Sequence, residues 1–154
     1  TSDIQSGAEK ALAITLAAQA GSNLVTQACG MQAALMAVSF ESYVLDNDML
    51  GAIMSSLRPV ETQEIDTAMI QEVVAGPGHF LGESDTLKRM TTDFVYPSVA
   101  DRTEFKLWEE TGRPTQLDTA RREVQRILKE HPGCLFVDSL DRKIRSRFDI
   151  RLNW

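Results

Sequence analysis

His79 follows Gly76-Pro77-Gly78, a run that stops a helix sharply, and stands four residues before Glu83. An imidazole there can move a proton or touch a ligand, with Glu83 as its partner. The plainer alternative is a buried histidine bonded to a carbonyl. Thr26 and Gln27 interrupt an apolar run ending at Gly30. If that run is a barrel strand, its C-terminal end faces the active site and the two polar side chains line a pocket. Otherwise they satisfy neighbouring backbone groups. Glu41, Asp46 and Asp48 form an acidic set able to attract a cationic substrate or a basic partner, or else to cap helices around a solvated turn. Arg142, Lys143, Arg145 and Arg147 form a basic run. On a helix they fall mostly away from Leu140, Ile144 and Phe148, as a solvated face does.

No self-sufficient active site is legible. Gly76-Pro77-Gly78 lacks the lysine of a phosphate loop. No Cys/His pair has zinc-ligand spacing, and neither an HExxH pattern nor a G-x-S-x-G elbow occurs. The 154 residues match one ordinary domain, and 43% hydrophobic with 25% charged residues excludes a disordered tail or a disulfide scaffold. Sixteen Lys+Arg against 22 Asp+Glu leave a net charge of −6, so no nucleic-acid partner is expected. Cys29 and Cys134 lie far apart and read as free thiols in a reducing, cytoplasmic compartment. The chain begins at Thr1 without a signal-peptide pattern, and a piece of something longer is expected.

Several elements must position these groups. Ser6 and Glu9 fit a capping box for a helix over residues 7–20, with Gly21 as its stop. Residues 23–30 read as a short buried strand. Helical spacing over 31–45 is interrupted by Asp46-Asn47-Asp48, one of which caps a second helix that Pro59 ends. Thr62 or Asp66 opens the next helix, which Gly76 closes. Residues 79–82 form a very short strand, Ser84 caps a helix, and residues 94–97 are extended before Pro97. Thr103, Thr115 and Asp138 cap further helices. From Ala11 to Phe40 there is no charged residue, yet Gly21-Ser22-Asn23 splits the run, so no membrane span is expected and burial on most sides is. The pattern is mostly helical, with too few strands for a self-contained α/β domain.

Four strings, in order, resemble the C-terminal part of the trimethylamine methyltransferase family: Ser-Asp-Ile-Gln-Ser-Gly-Ala-Glu-Lys at 2–10, Ala-Ala-Gln-Ala-Gly-Ser-Asn-Leu at 17–24, Ser-Phe-Glu-Ser-Tyr-Val-Leu-Asp at 39–46 and Gly-Pro-Gly-His-Phe-Leu-Gly at 76–82. The similarity spans about residues 2–130. It implies an α/β fold, the C-terminal portion of a (β/α)8 TIM-type barrel over residues 1–97, with a helical extension over 98–154. It implies transfer of a methyl group from a small methylated amine, trimethylamine or a glycine betaine-like donor, to a corrinoid (cobalamin) carried by a partner protein. No cofactor would be bound directly. In members that use pyrrolysine, that residue precedes the Asp-x-Gln-x-Gly string, so it would fall upstream of Thr1, as would the catalytic machinery. A quaternary donor needs a cation-accepting pocket and no general base. Gln27, Glu41, Tyr43 and Glu83 are the substrate-binding candidates, and His79 is the candidate catalytic group. This sequence departs from the family at Ala8, where an aromatic is usual, and at Glu83 and Asp85, where histidines are common. Residues 134–154 resemble the family poorly and receive no role. The isolated chain is expected to be inactive, to expose apolar surface and to form a homo-oligomer. A free-standing helical interaction module without catalysis is the competing reading.

Overall fold

The computed structural model describes residues 3–60, 62, 64–131, 133 and 136–151; Cys134 lies outside the described residues. Helix α1 runs Ile4–Gln19. Its N-cap is Asp3, whose carboxylate accepts from the Ser6 amide at 3.0 Å. The helix therefore starts a turn before the expected Ser6 cap, and the Ser6 hydroxyl is released for a tertiary bond. Gly21 stops it as expected. At φ +84° it donates to the Ala18 carbonyl while Ser22 donates to Ala17, the two bonds of a Schellman motif.

Residues 23–30 form turns, with Thr26-Gln27 in one of them, rather than the expected strand. An extended segment must hand its amides and carbonyls to a neighbouring strand, and the only sheet among the described residues lies elsewhere. That sheet is an antiparallel hairpin, β1 (Met31–Gln32) and β2 (Ala37–Val38), pairing Met31 with Val38 and Gln32 with Ala37. It replaces the first part of the helix expected over 31–45. The tip carries Ala33, Ala34 and Leu35 at φ +50°, +49° and +72°, a left-handed stretch no α-helix contains.

Helix α2 runs Phe40–Ser56 from an Ser39 N-cap, without the expected break at 46–48. Asp and Asn break helices by competing for local backbone groups. Here Asp46 and Asp48 have partners off the helix. Asp48 accepts from the Ser98 amide at 2.7 Å, the Ser98 hydroxyl at 2.9 Å and the Ala100 amide at 3.0 Å. This ties down the segment whose Val99 is buried.

Helix α3 (Thr67–Ala75) is capped by Asp66 and α4 (Ser84–Thr92) follows Glu83, not Ser84, as its cap residue. Residues 79–82 between them turn rather than forming a strand. Helix α5 (Phe105–Glu110) is capped by Glu104 instead of Thr103, and Trp108 Nε1 donates to the Pro114 carbonyl at 3.0 Å. Helix α6 (Gln116–Glu130) opens with the expected Thr115, in a capping box with Asp118. Helix α7 (Asp138–Arg145) begins at Asp138, with Val137 at the cap position.

Helix α2 is the hub, packing most extensively on α6 and then on α1. Ala120 of α6 is fully buried, so the two helix backbones meet closely. The core is small. Its buried apolar side chains among the described residues are Ile53, Val73, Val99 and Ala120. The chain keeps 12684 Å² accessible, against about 7,800 Å² for a compact monomer of this size. Leu12, Leu16 and Leu24 in the charge-free stretch are exposed, so the burial expected there is not found within the chain. The fold is thus mostly helical with a small two-stranded sheet, and no helix among the described residues is long and apolar enough to cross a membrane.

Two predictions follow from these contacts. Replacing Ala34 with Gly removes left-handed strain and should stabilise the protein by about 0.5–1 kcal/mol, whereas Ala→Gly elsewhere destabilises; a loss of stability in urea titration would contradict the hairpin. At Asp48 burial raises the carboxyl pKa, but the bonds from Ser98 and Ala100 outweigh it and the net shift is below the ordinary 3.8. The tether therefore contributes fully above that value and is lost as pH falls through the lower, folded-state pKa. Asp48→Asn should remove that contribution at neutral pH and flatten this part of the acid stability profile. A variant with the wild-type profile from pH 7 to pH 2 would exclude the tether.

Candidate functional site

The described residues bury two polar side chains, Ser42 and Asp46, one turn apart on α2. Asp46 Oδ2 accepts from Lys10 Nζ of α1 at 2.6 Å and from the Gly30 amide at 2.8 Å. A carboxylate taken out of water needs such partners, and stripping one away costs about 3–5 kcal/mol. Ser42 Oγ accepts from Gln32 Nε2 at 2.8 Å, and Gln32 Oε1 accepts from the Ser6 hydroxyl at 3.2 Å. One polar seam thus joins α1, the hairpin and α2. No buried side-chain nitrogen or oxygen among the described residues lacks a partner.

Gly30 is pinned on every side. Its amide meets Asp46, its carbonyl accepts from the Ser39 amide at 3.1 Å, and its φ is +74°. A Cβ there would stand 2.5 Å from the Tyr43 ring. Only glycine permits both the left-handed backbone and the ring. Tyr43 is therefore backed by the Gly30 backbone, while 43% of it stays open to solvent. A cleft of about 480 Å³ runs between α1, α2 and the start of α6, lined by Ser6, Gln32, Ser42, Asp46 and Gln116 among others, and neither Gly30 nor Tyr43 lines it.

Glu41 and Tyr43 both lie in the first turns of α2, and Gln27 lies in the exposed turn leading to Gly30, at φ +60°. Residues two apart on a helix do not face each other, so Glu41 and Tyr43 do not share a face. Glu41 is turned to its own helix start. Its own amide, then the Ser39 hydroxyl at 2.8 Å, hold its carboxyl below the ordinary range, with Arg121 of α6 at 3.8 Å. His79 is exposed and Glu83 half-buried on the turn between α3 and α4. No hydrogen bond or ion pair among the described residues joins their side chains to each other or to Tyr43.

Asp46 and Asp48 are not the solvated caps the sequence suggested. Both are structural anchors that accept bonds from groups distant in sequence. Sequence reasoning missed Lys10 and Ser98 as their partners, and it missed the neighbouring pair of Gln32 and Ser42. One signal was available for Lys10: it is the last charge before thirty residues without any, so a nearby carboxylate was its natural destination. Cys29, next to Gly30, is half-buried; burial, then the Asp46 charge, raises its thiol pKa, against a smaller lowering by Lys10. It stays protonated at neutral pH and is a poor nucleophile. The described residues hold no group of three or more His, Cys, Asp or Glu placed to bind a metal ion.

A family model described as trimethylamine methyltransferase matches residues 1–150. Glycine betaine methyltransferase of Desulfitobacterium hafniense is 26% identical over 147 residues, covering 95% of this chain and 30% of its own length. A trimethylamine methyltransferase of Methanosarcina mazei is 34% identical over 132 residues, covering 84% and 26%. One of Methanosarcina barkeri is 32% identical with the same coverage. The chain thus spans 26–30% of the length of these relatives. The family match reaches beyond residue 130, into the tail that the sequence motifs left unassigned.

The seam sets clear expectations for stability. Gly30→Ala should destabilise the protein by about 3 kcal/mol or more, through strain and the clash with Tyr43. Asp46→Ala, which leaves Lys10 and the Gly30 amide without their acceptor, should cost about 3–5 kcal/mol. Denaturant melts read both. Values under about 1 kcal/mol would show that the seam does not hold the site together.

Proposed function

Because the chain belongs to the trimethylamine methyltransferase family, we propose that it is the C-terminal part of a longer enzyme that moves a methyl group from a methylated amine to a corrinoid carried by a separate protein. The observation that carries this reading is the family match over residues 1–150. The share of its relatives that the chain spans supports the partial state. So does a surface on which Ile4, Leu16, Leu24, Met36 and Val60 all lie exposed. Within a completed (β/α)8 barrel, residues 23–30 gain the neighbouring strands they lack here, and the turn at Gln27 becomes the mouth-side end of one.

The substrate side of the chemistry is simple. Held by its carrier protein, the corrinoid would supply the nucleophile that takes the methyl carbon as the carbon–nitrogen bond breaks; nitrogen would keep the electron pair, so a quaternary donor, or trimethylamine bound as its ammonium ion, would leave as a neutral amine with no proton to move. The protein's part is to hold a cation and exclude water. Tyr43 suits the first task, because its ring is fixed against Gly30 and its open face can receive an ammonium group. Glu41, ionised but on another side of the helix, contributes a negative field rather than a contact. The positive charge is lost as the methyl leaves, so a cation site of this kind favours the bound substrate and lets the product go.

The reading is tested by mixing the full-length protein with its Co(I) corrinoid partner and following loss of the Co(I) spectrum. Trimethylamine or glycine betaine should consume Co(I); no consumption with any methylated amine would rule the reading out. Tyr43→Leu should raise KM severalfold to about thirtyfold with little change in kcat, while Tyr43→Phe stays near wild type. His79→Ala should lower turnover more than stability, and unchanged turnover would remove His79 from the site.

A further inference from the structure

Tyr43 is not placed by its own hydroxyl, which makes no hydrogen bond among the described residues. A tyrosine in the first turns of a helix has more than one staggered position open to it. The contact that limits it here is Gly30. A Cβ on Gly30 would stand 2.5 Å from Cε2 and Cζ of the ring and 2.6 Å from Cδ2, so one edge of the ring rests against the Gly30 α-carbon. Gly30 is held in turn by α2 itself. Its carbonyl accepts from the Ser39 amide at 3.1 Å, and its amide donates to Asp46 Oδ2 at 2.8 Å. Ser39, Tyr43 and Asp46 stand at i, i+4 and i+7, on one face of the helix and its cap. That face grips a single glycine by its carbonyl, its α-carbon and its amide.

The three grips are not equivalent. Ser39 gives its backbone amide, so no side-chain change removes that bond. The bond to the Gly30 amide depends on one side chain, Asp46. Without it Gly30 keeps one hydrogen bond to α2, and the ring loses a fixed stop. Lys10 reaches the same Asp46 oxygen from α1 at 2.6 Å and balances its charge, and among the described residues Lys10 bonds to Asp46 alone. Resting on the reading of Tyr43 as the side chain that receives the ammonium group, we propose that Asp46 is a positioning residue of that site: through Gly30 it fixes the ring, and so sets how tightly the methylated amine is held, without touching it. Lys10 serves the fold by compensating the buried charge, and the ring depends on it only through Asp46.

The experiment measures kcat and KM separately for the full-length protein with its Co(I) corrinoid partner, titrating trimethylamine and glycine betaine. Asp46→Ala should raise KM about threefold or more, up to the Tyr43→Leu value. Asp46→Asn keeps an oxygen for the Gly30 amide and loses the charge; its KM should return to near wild type although its melting temperature stays lowered. Lys10→Met leaves the Asp46–Gly30 bond in place and should lower stability with KM near wild type. In a Tyr43→Leu background Asp46→Ala should raise KM no further, because the ring it positions is gone. Where Asp46→Ala does not fold, Lys10→Met with Asp46→Leu exchanges the buried ion pair for apolar groups of similar volume, a tolerated change, and carries the same expectation for KM. A merely structural role would lower the folded fraction, and with it kcat, at constant KM. A wild-type KM in Asp46→Ala or in its apolar replacement would overturn the proposal. So would a KM raised as far by Lys10→Met alone, or an increase that persists without the ring. Unchanged KM in Tyr43→Leu itself would overturn the reading of Tyr43, and this proposal with it; a raised KM there with a wild-type KM in the Asp46 variants would overturn this proposal alone.

Discussion

The arrangement depends on one buried carboxylate. Asp46 joins Lys10 of α1 to the Gly30 amide, and so fixes where the loop after α1 returns to the helix that follows it. A carboxylate without partners in that position would cost more than the small core could offset. With its partners it is directional, as apolar burial is not. It selects one register of α1 on α2, and that register sets Gly30 beneath Tyr43.

The rest of the local structure follows from this anchor. Once Gly30 is held, its carbonyl receives the Ser39 amide, and Ser39 caps α2. The hairpin between them is short enough that Gln32 reaches Ser42 and Ser6. Asp48, two residues beyond the anchor, repeats the device by binding the Ser98–Ala100 segment. Both carboxylates thus leave the helix to serve partners far away in sequence, which is why α2 runs unbroken through them. The apolar surface, by contrast, is largely unused. Four buried apolar side chains among the described residues are too few to organise seven helices, so polar anchors take a larger share than in a domain with a full core.

Helix ends with strong local chemistry were legible in the sequence. The Thr115 cap, the Gly21 stop and Asp66, one of the two caps expected for α3, each need only groups within four residues of each other. The family, too, was legible in ordered strings of residues, because those strings survive without knowledge of the fold. Local reasoning failed where a distant partner changed the outcome. It placed a strand at 23–30, which has no neighbour here to bond with, and a helix break at 46–48, which distant partners prevent. It read His79 and Glu83 as a pair on spacing alone, whereas the structure shows no bond between them.

Sequence by itself determined the helical content, several caps, the acidic balance with its basic C-terminal exception, and the family. Each rests on composition or on contacts a few residues apart. The tertiary structure alone decided that Asp46 is an anchor rather than a cap and that Gly30 is the floor beneath Tyr43. It also showed that most of the apolar residues find no cover within this chain. The anchor and the floor depend on groups sixteen and thirty-six residues apart along the chain, or, for Gly30 and Tyr43, in neighbouring elements, and a buried charge or a crowded glycine is identified only by what folding brings against it.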